Sequence, residues 1–538
     1  MGATFSIFEF TTPLNPMVFY PKFPYISEKI FEQLDKDSLK SCREVVKSWK
    51  NCIDGKIILW EKVLQDEDKA QELFSKLCKA GQSKTARMLI QKSAHLNIDL
   101  NQKQKDRNSR TAFQLACEHG HLEVVELLIQ EYSKRNFDLN NAQSGWAPLL
   151  YAVYGDHFEI VRLLMSKSSK LKMDLNTKTQ YGLSAFHLAC KYGHLKIAEL
   201  FIQESIEYNI NLNTKDDGGM TPFHSSVYMG ESKLAKLIIQ KSVKFGIELK
   251  NTDICGETAF HFAINRSCFK IAELLIAKSS ELKIDLNAKD RFGRTPFHKA
   301  CFYGYSNTVE LLIQKSIEYD INLNTRDNRG FSPFYSTIYE GQVKLVELII
   351  KKSAEFGIEV NTTNIRGETA FHWAIYRNHF EIVELLISKS SELNIDLNAK
   401  EKYGCTAFHV ACYCGYSKIA EMLIQKSIEY NINLNTQDHM GHTPFHSTFL
   451  HSHLELAELI MQKSAVYNID LNIGDQDGVT GFHLACKVAD LSIIKLMVKN
   501  SEKFGIDLMA KDNDGKTGFE IERFKNRPDF LNLIKAMT

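Results

Sequence analysis

The chain is 538 residues long and carries 66 Lys and Arg against 65 Asp and Glu, a formal net charge of +1. No long run of one sign occurs, which leaves a nucleic-acid surface unsupported, and the apolar runs of five or six residues fall far short of a membrane span. Length here reflects repetition more than one large core, because most of the sequence is a single unit copied many times.

Residues 1–22 contain Pro13, Pro16 and Pro21, which oppose a helix, and no positive charge precedes Lys22. They read as a loosely ordered tail and a poor secretory signal. Gly2-Ala3-Thr4-Phe5-Ser6 after Met1 fits the N-myristoylation pattern. So short a pattern also arises by chance, and one acyl chain without a basic patch binds membrane weakly.

Residues 23–64 belong to no repeat. Ile26, Ile30, Phe31 and Leu34 have the spacing of one amphipathic helix, Leu39 begins a second, and Val45, Val46, Trp49 and Ile53 line a third. Three short helices bury little surface alone, so a partner or the following repeats must cover them. Residues 65–110 then form a degenerate first unit, in which Phe74, Leu77, Cys78, Gly81, Leu89 and Ile90 run in register with Phe113, Ala116, Cys117, Gly120, Leu128 and Ile129.

From there the register is regular over 111–516. Units open at Thr111, Ala147, Ser184, Thr221, Thr258, Thr295, Ser332, Thr369, Thr406, Thr443, Thr480 and Thr517, and ten of the eleven spacings are 37 residues. A fixed period of this size means a solenoid whose units pack on their neighbours. The opening Thr or Ser is a helix N-cap, and Pro148, Pro222, Pro296, Pro333 and Pro444 follow it where a missing N–H costs nothing. A short helix closes nine residues on, at Gly120, Gly193, Gly230, Gly304, Gly341 and Gly415. A second helix, apolar at Ile197, Leu200 and Phe201 in one unit and Leu311, Leu312 and Ile317 in another, leads to an extended DLN or NLN stretch. A turn glycine two residues before each next opening, from Gly145 through Gly330 to Gly515, marks a hairpin tip. A second period of 111 residues, three units, overlies the first. The segment 517–538, with Glu520 in place of the usual His and Pro528 interrupting, reads as a C-terminal cap.

Helix, turn, helix and hairpin, with TPFH opening the unit and Gly120-His121 or Gly193-His194 between the helices, closely resembles the ankyrin repeat over about residues 70–538. The implied fold is all-α with short β-hairpins, an ankyrin solenoid of about 13 units that should extend on the order of 100 Å. The second helix should run about one turn beyond the family's usual length of about 33 residues per unit.

Residues 23–64 resemble an F-box. The residues concerned are Pro24, Ile30-Phe31 with Leu34 and Asp35, Asp37 with Leu39, Val45 with Trp49, and Leu59-Trp60, while Phe23 stands where Leu is usual. The resemblance implies a three-helix domain that docks on a Skp-type adaptor through Pro24, Ile30, Phe31, Leu34, Leu39, Val45, Trp49 and Trp60. The other reading of the same helices is a cap on the first repeat.

Eight histidines, His187, His224, His261, His298, His372, His409, His446 and His483, sit three residues after an opening. One per unit leaves neighbours about 10 Å apart, too far to share one zinc ion at about 2 Å, so they are structural. In the ankyrin family this His braces the hairpin. Among the twelve cysteines, Cys117, Cys190, Cys301, Cys412 and Cys486 fall on one core position, as small buried residues in a reduced intracellular setting, cytoplasmic or nuclear. No metal, cofactor or catalytic motif is expected.

The resemblance places the partner against the two residues before the helix-closing glycine and against the hairpin tips, along the concave side. Those two positions hold Tyr154, Tyr192, Tyr228, Phe302, Tyr303, Tyr339, Tyr376 and Tyr413, with Phe302, Tyr339, Tyr376 and Tyr413 expected in a row. The tips Phe292, Arg294, Arg329, Phe331, Arg366, Tyr403 and His439 vary and would set specificity. The expected function is a non-catalytic substrate receptor of a Skp–cullin–F-box ubiquitin ligase, or an ankyrin scaffold that only binds.

Overall fold

The computed structural model describes residues 67–520, apart from 92, 94–97, 103–109, 136–145 and 489–490. The tail, the F-box-like stretch with Pro24, Ile30, Phe31, Leu34, Leu39, Val45, Trp49 and Trp60, and residues 521–538 of the cap lie outside the described residues. The chain divides into two compact bodies, Met1–Thr179 and Gln180–Thr538. In the first, the helices Glu67–Lys79 and Ser83–Gln91 form the degenerate unit, followed by the helix pairs of the units at 111 and 147. The second holds the units from 184 onward.

Each unit opens as its local chemistry directs. At Thr295 the backbone is extended (φ −85°, ψ 167°), the side chain accepts the His298 N–H, and Pro296 occupies the first helical position. The helix Pro296–Tyr303 ends at Gly304 with φ +71°. Where a unit lacks glycine at this point the chain still turns left-handed, at Asp156, Ser267, Asn378 and Ser452. Asp and Asn have short polar side chains that tolerate this region better than most residues.

The second helices reach 14 residues in Ser232–Phe245, Val343–Phe356, Ser417–Tyr430 and Leu454–Tyr467, the extra turn that the repeat length implied. Leu122–Arg135 and Phe269–Leu282 are as long, whereas in other units the extra turn is broken off, as in Phe380–Ser388 and Ser390–Leu393. A buried serine sits at the start of this last turn. Ser242, Ser353 and Ser427 donate their hydroxyls to the carbonyls of Ile239, Ile350 and Ile424, so no polar group is stranded in the core. A second left-handed residue, such as Gly246, Lys283 or Asn431, then ends the helix.

The core is a column of aromatic rings. Phe186, Phe223, Phe260, Phe297, Phe334, Phe371, Phe408, Phe445 and Phe482, each two residues after an opening, are at most 2% exposed. Burying each contributes about 1.5–3 kcal/mol. At the tips, the Asp290 carboxylate accepts the N–H groups of Phe292 and Arg294, both at 2.9 Å. Successive tips are tied by backbone bonds from Arg291 N–H to Cys255 O, Asn328 to Phe292, Ile365 to Arg329 and Lys402 to Arg366, at 2.8, 2.9, 3.2 and 2.7 Å. The expected hairpins are therefore tight turns: among the described residues only isolated bridges occur, including Thr252 with Thr258 and Thr363 with Thr369. These two bridges lie one three-unit period apart.

After the second helices an asparagine ladder does similar work. Asn287 donates to Asp320 O and accepts from Asn322 N–H, both at 2.7 Å, and Asn324, Asn398, Asn435 and Asn472 repeat the pattern.

Candidate partner-binding face

The histidines are committed to the fold. The N–H of the opening residue points at Nδ1 of the His three residues on, at 3.1 Å for Ser184 with His187 and 3.0 Å for Thr406 with His409. A backbone N–H can only donate, so Nδ1 accepts and the proton resides on Nε2. That Nε2–H reaches the carbonyl just before the next opening: His187 to Met220, His261 to Arg294, His298 to Phe331, His372 to Cys405, His409 to His442, His446 to Val479 and His483 to Lys516, over 2.8–3.3 Å. His224 is the exception, its Nε2 lying near the Asn251 and Glu257 carbonyls without a bonded partner. Burial pushes His224, His298 and His409 down to about 4, and lowers His261, His372 and His446 as well. Neutral rings with both nitrogens engaged have no lone pair for a metal or for proton transfer.

Other side chains fill the same place. Gln114 accepts the Thr111 N–H and donates to Trp146 O at 2.8 Å. Tyr335 donates to the Glu368 and Thr362 carbonyls, and Glu520 accepts the Thr517 N–H. Burial raises Cys117, Cys190, Cys301, Cys412 and Cys486, which keeps these thiols protonated and unreactive. Among the described residues no group of three or more His, Cys, Asp and Glu could hold a metal, and no helix is long and apolar enough to cross a membrane.

The aromatic positions differ from the histidines in every respect. Seven of the eight are exposed, from 38% for Tyr339 to 54% for Tyr376 and Tyr413, and Phe302 is half-buried. Ring contacts connect some of them and not others. In the first body Tyr154 packs its edge on Trp146 at 5.5 Å. In the second, Tyr192 stacks on His194 at 6.0 Å, and Tyr228 lies under the Arg266 guanidinium at 3.8 Å. A connected strip runs from Tyr303 through Phe302 and Tyr339 to Trp373 and Tyr376, with ring centroids 5.3, 6.3, 5.9 and 5.4 Å apart. Phe331 joins it edge-on to Trp373 at 5.3 Å. Tyr413 turns instead to His451, 4.0 Å away.

Two residues of this face escape the sequence reading, both four positions after an opening. Trp373 bridges Tyr339 to Tyr376, with its Nε1–H on Glu368 Oε2 at 3.0 Å. The one signal is its residue type, since Leu115, Leu188, Val410 and Leu484 hold the same place elsewhere. Lys299 is buried between Glu257 at 2.7 Å and Asp290 at 3.0 Å. Burial opposes both charges, yet the two carboxylates keep the Lys299 pKa above its ordinary value. The Arg294 N–H and Lys299 keep Asp290 below its own.

Comparison of the sequence with family models agrees with this architecture. The sequence model for ankyrin repeats, in three-copy form, matches residues 74–179, 169–253, 242–327, 282–364 and 334–436. Among solved structures the chain is similar to the ankyrin repeat domain of Bcl-3, described as a unique member of the IkappaB protein family. The two are 21% identical over 45% of this chain and 99% of that one, with a TM-score of 0.38. No curated protein matches the sequence.

Proposed function

The chain belongs to the ankyrin-repeat family, and on that premise we propose that it is a non-catalytic protein-binding scaffold serving as substrate receptor of a Skp–cullin–F-box ubiquitin ligase. A target protein lies against the aromatic strip. Residues 23–64 engage a Skp-type adaptor through Pro24, Ile30, Phe31, Leu34, Leu39, Val45, Trp49 and Trp60, behind the tail 1–22. The array of 65–110 and 111–516, closed by 517–538, presents the target's lysines to the ubiquitin-charged enzyme. The chemistry is proximity supplied to another protein, in a cytoplasmic or nuclear setting.

The observation that supports the binding half is the connected strip from Tyr303 to Tyr376, in which Tyr303, Tyr339 and Tyr376 are exposed and Phe302 and Trp373 half-buried. Aromatic anchors of this kind dominate protein interfaces, and rings already propped against each other lose little freedom on binding. The adaptor half is supported by the sequence motif. The test is binding of purified Skp adaptor to the full chain, unmodified and with Val45→Asp and Trp49→Ala together. Specific binding that disappears in the double variant is the expected result. No binding by the unmodified chain would remove the ligase role and leave a scaffold whose first helices are a cap.

A further inference from the structure

The charges around the strip are sorted by direction. Each tip of the strip opens with a side chain that folds into its own turn: Asp253, Asp290, Asp327 and Glu401 each accept two backbone N–H groups, and the neutral Asn364 between them does the same. Glu257 is taken by Lys299, and Glu368 by Trp373 and Asn364. The basic side chains point the other way. Arg266, Arg291, Arg329, Arg366, Arg377 and Lys402 are exposed, against the exposed acid Glu340. Several lie on the rings themselves, Arg377 at 4.1 Å over Tyr339, Arg294 at 5.8 Å over Phe302 and Arg291 at 4.7 Å over Phe292. At the same turn positions the outlying units expose Asp217, Asp477 and Asp514 instead. A chain of net charge +1 thus carries a cationic, aromatic middle, and its outlying tips place acids where the middle places bases.

We infer that the strip receives an extended acidic segment of the partner protein, about ten residues long, with a carboxylate at about every third residue and apolar or aromatic side chains between. This rests on the reading of the strip as a protein-binding face. The length follows from the spacing. Arg291, Arg329, Arg366 and Lys402 stand on consecutive units about 10 Å apart, about 30 Å in all, and an extended chain advances about 3.3 Å per residue. A carboxylate at every third residue therefore meets one basic tip per unit. A nucleic acid fits less well. The faces of Tyr228 and Tyr339 that would stack on bases are covered by Arg266 and Arg377, and a longer polyanion would run onto Asp217 or Asp477.

The test uses the full chain and three fluorescent probes: a peptide of about ten residues with Asp at every third position and Leu or Phe between, the same peptide with Lys for Asp, and oligothymidylate of similar length. The acidic peptide should bind about tenfold or more tighter than the other two. It should weaken at least about tenfold in Arg329→Glu/Arg366→Glu, and similarly as salt rises from about 50 to about 500 mM. Circular dichroism of the variant, beside Arg329→Gln/Arg366→Gln, checks that it is folded. Equal binding of the lysine peptide, tighter binding of the oligonucleotide, or indifference to the charge reversal would overturn the inference. Photo-crosslinking through Tyr376→p-benzoylphenylalanine in cell extract separates the two readings. A crosslinked partner segment that is acidic supports the inference, a neutral or basic one overturns it while the binding face stands, and no protein crosslink overturns both.

Discussion

The buried opening of each unit and the exposed turn that precedes it are neighbours in sequence and follow opposite rules. At the opening, Thr295 and His298 hold one geometry that recurs in most units; Gln114 reproduces both of its bonds, Tyr335 only the one to the next unit, and Leu150 neither. At the turn, Arg291-Phe292, Asn328-Arg329, Ile365-Arg366 and Lys402-Tyr403 share a backbone and little else. A solenoid separates the two jobs: side chains bonded across units hold the register, and those facing solvent are free to be selected for a partner.

The contrast can be broken most forcefully at Lys299. Lys299→Ala should destabilise by about 3 kcal/mol, because the buried Asp290 and half-buried Glu257 would lose the cation between them. Urea unfolding followed by circular dichroism reads this directly. His298→Ala should cost about 3 kcal/mol, since both the Thr295 N–H and the Phe331 carbonyl lose their partner. His298→Gln should cost only about 1 kcal/mol, because Gln114 already performs the same double bond.

Acid should act on the same brace. His224, His298 and His409 are held at about 4, below the 6.5 of an unperturbed imidazole. Above about pH 6.5 both folded and unfolded states are neutral and this contribution is complete. Between about pH 6.5 and 4 the unfolded chain takes up protons that the folded chain refuses. Stability therefore falls with falling pH, by up to about 3 kcal/mol for each ring, and thermal melts at pH 7 and pH 5 should show it. A smaller effect is expected at Gly415. Its φ of +71° disfavours a side chain, and an added Cβ would lie 2.5 Å from the His453 ring, so Gly415→Ala should cost about 1–2 kcal/mol by the same assay. The smallest effect belongs to the exposed side: Tyr376→Ala should change stability by no more than about 1 kcal/mol while weakening partner capture.

Much of this frame was legible because it is local. The Thr N-cap, the closing glycine and the phenylalanine two residues in depend on a few adjacent residues, and repetition in register made each visible many times. The brace from His to carbonyl was legible only through resemblance, because its two ends lie 33 residues apart. What stayed hidden depends on how side chains from different units meet. Lys299 finds Glu257 42 residues away. Trp373 joins Tyr339 to Tyr376, and Tyr413 packs on His451, contacts that no single unit announces. Spacing says which residues are near one another; rotamers and ring packing decide which of them touch.

The central claim is that the aromatic face is free of the fold and the histidine ladder is part of it. Its most direct test is urea unfolding of two triple variants of the full chain, Tyr339→Ala/Tyr376→Ala/Tyr413→Ala and His298→Ala/His372→Ala/His409→Ala. The account predicts that the tyrosine variant unfolds near the unmodified protein while the histidine variant loses its cooperative transition or shifts it far toward low urea. A tyrosine variant that unfolds as early as the histidine variant would show that the rings are packing, and would contradict the account.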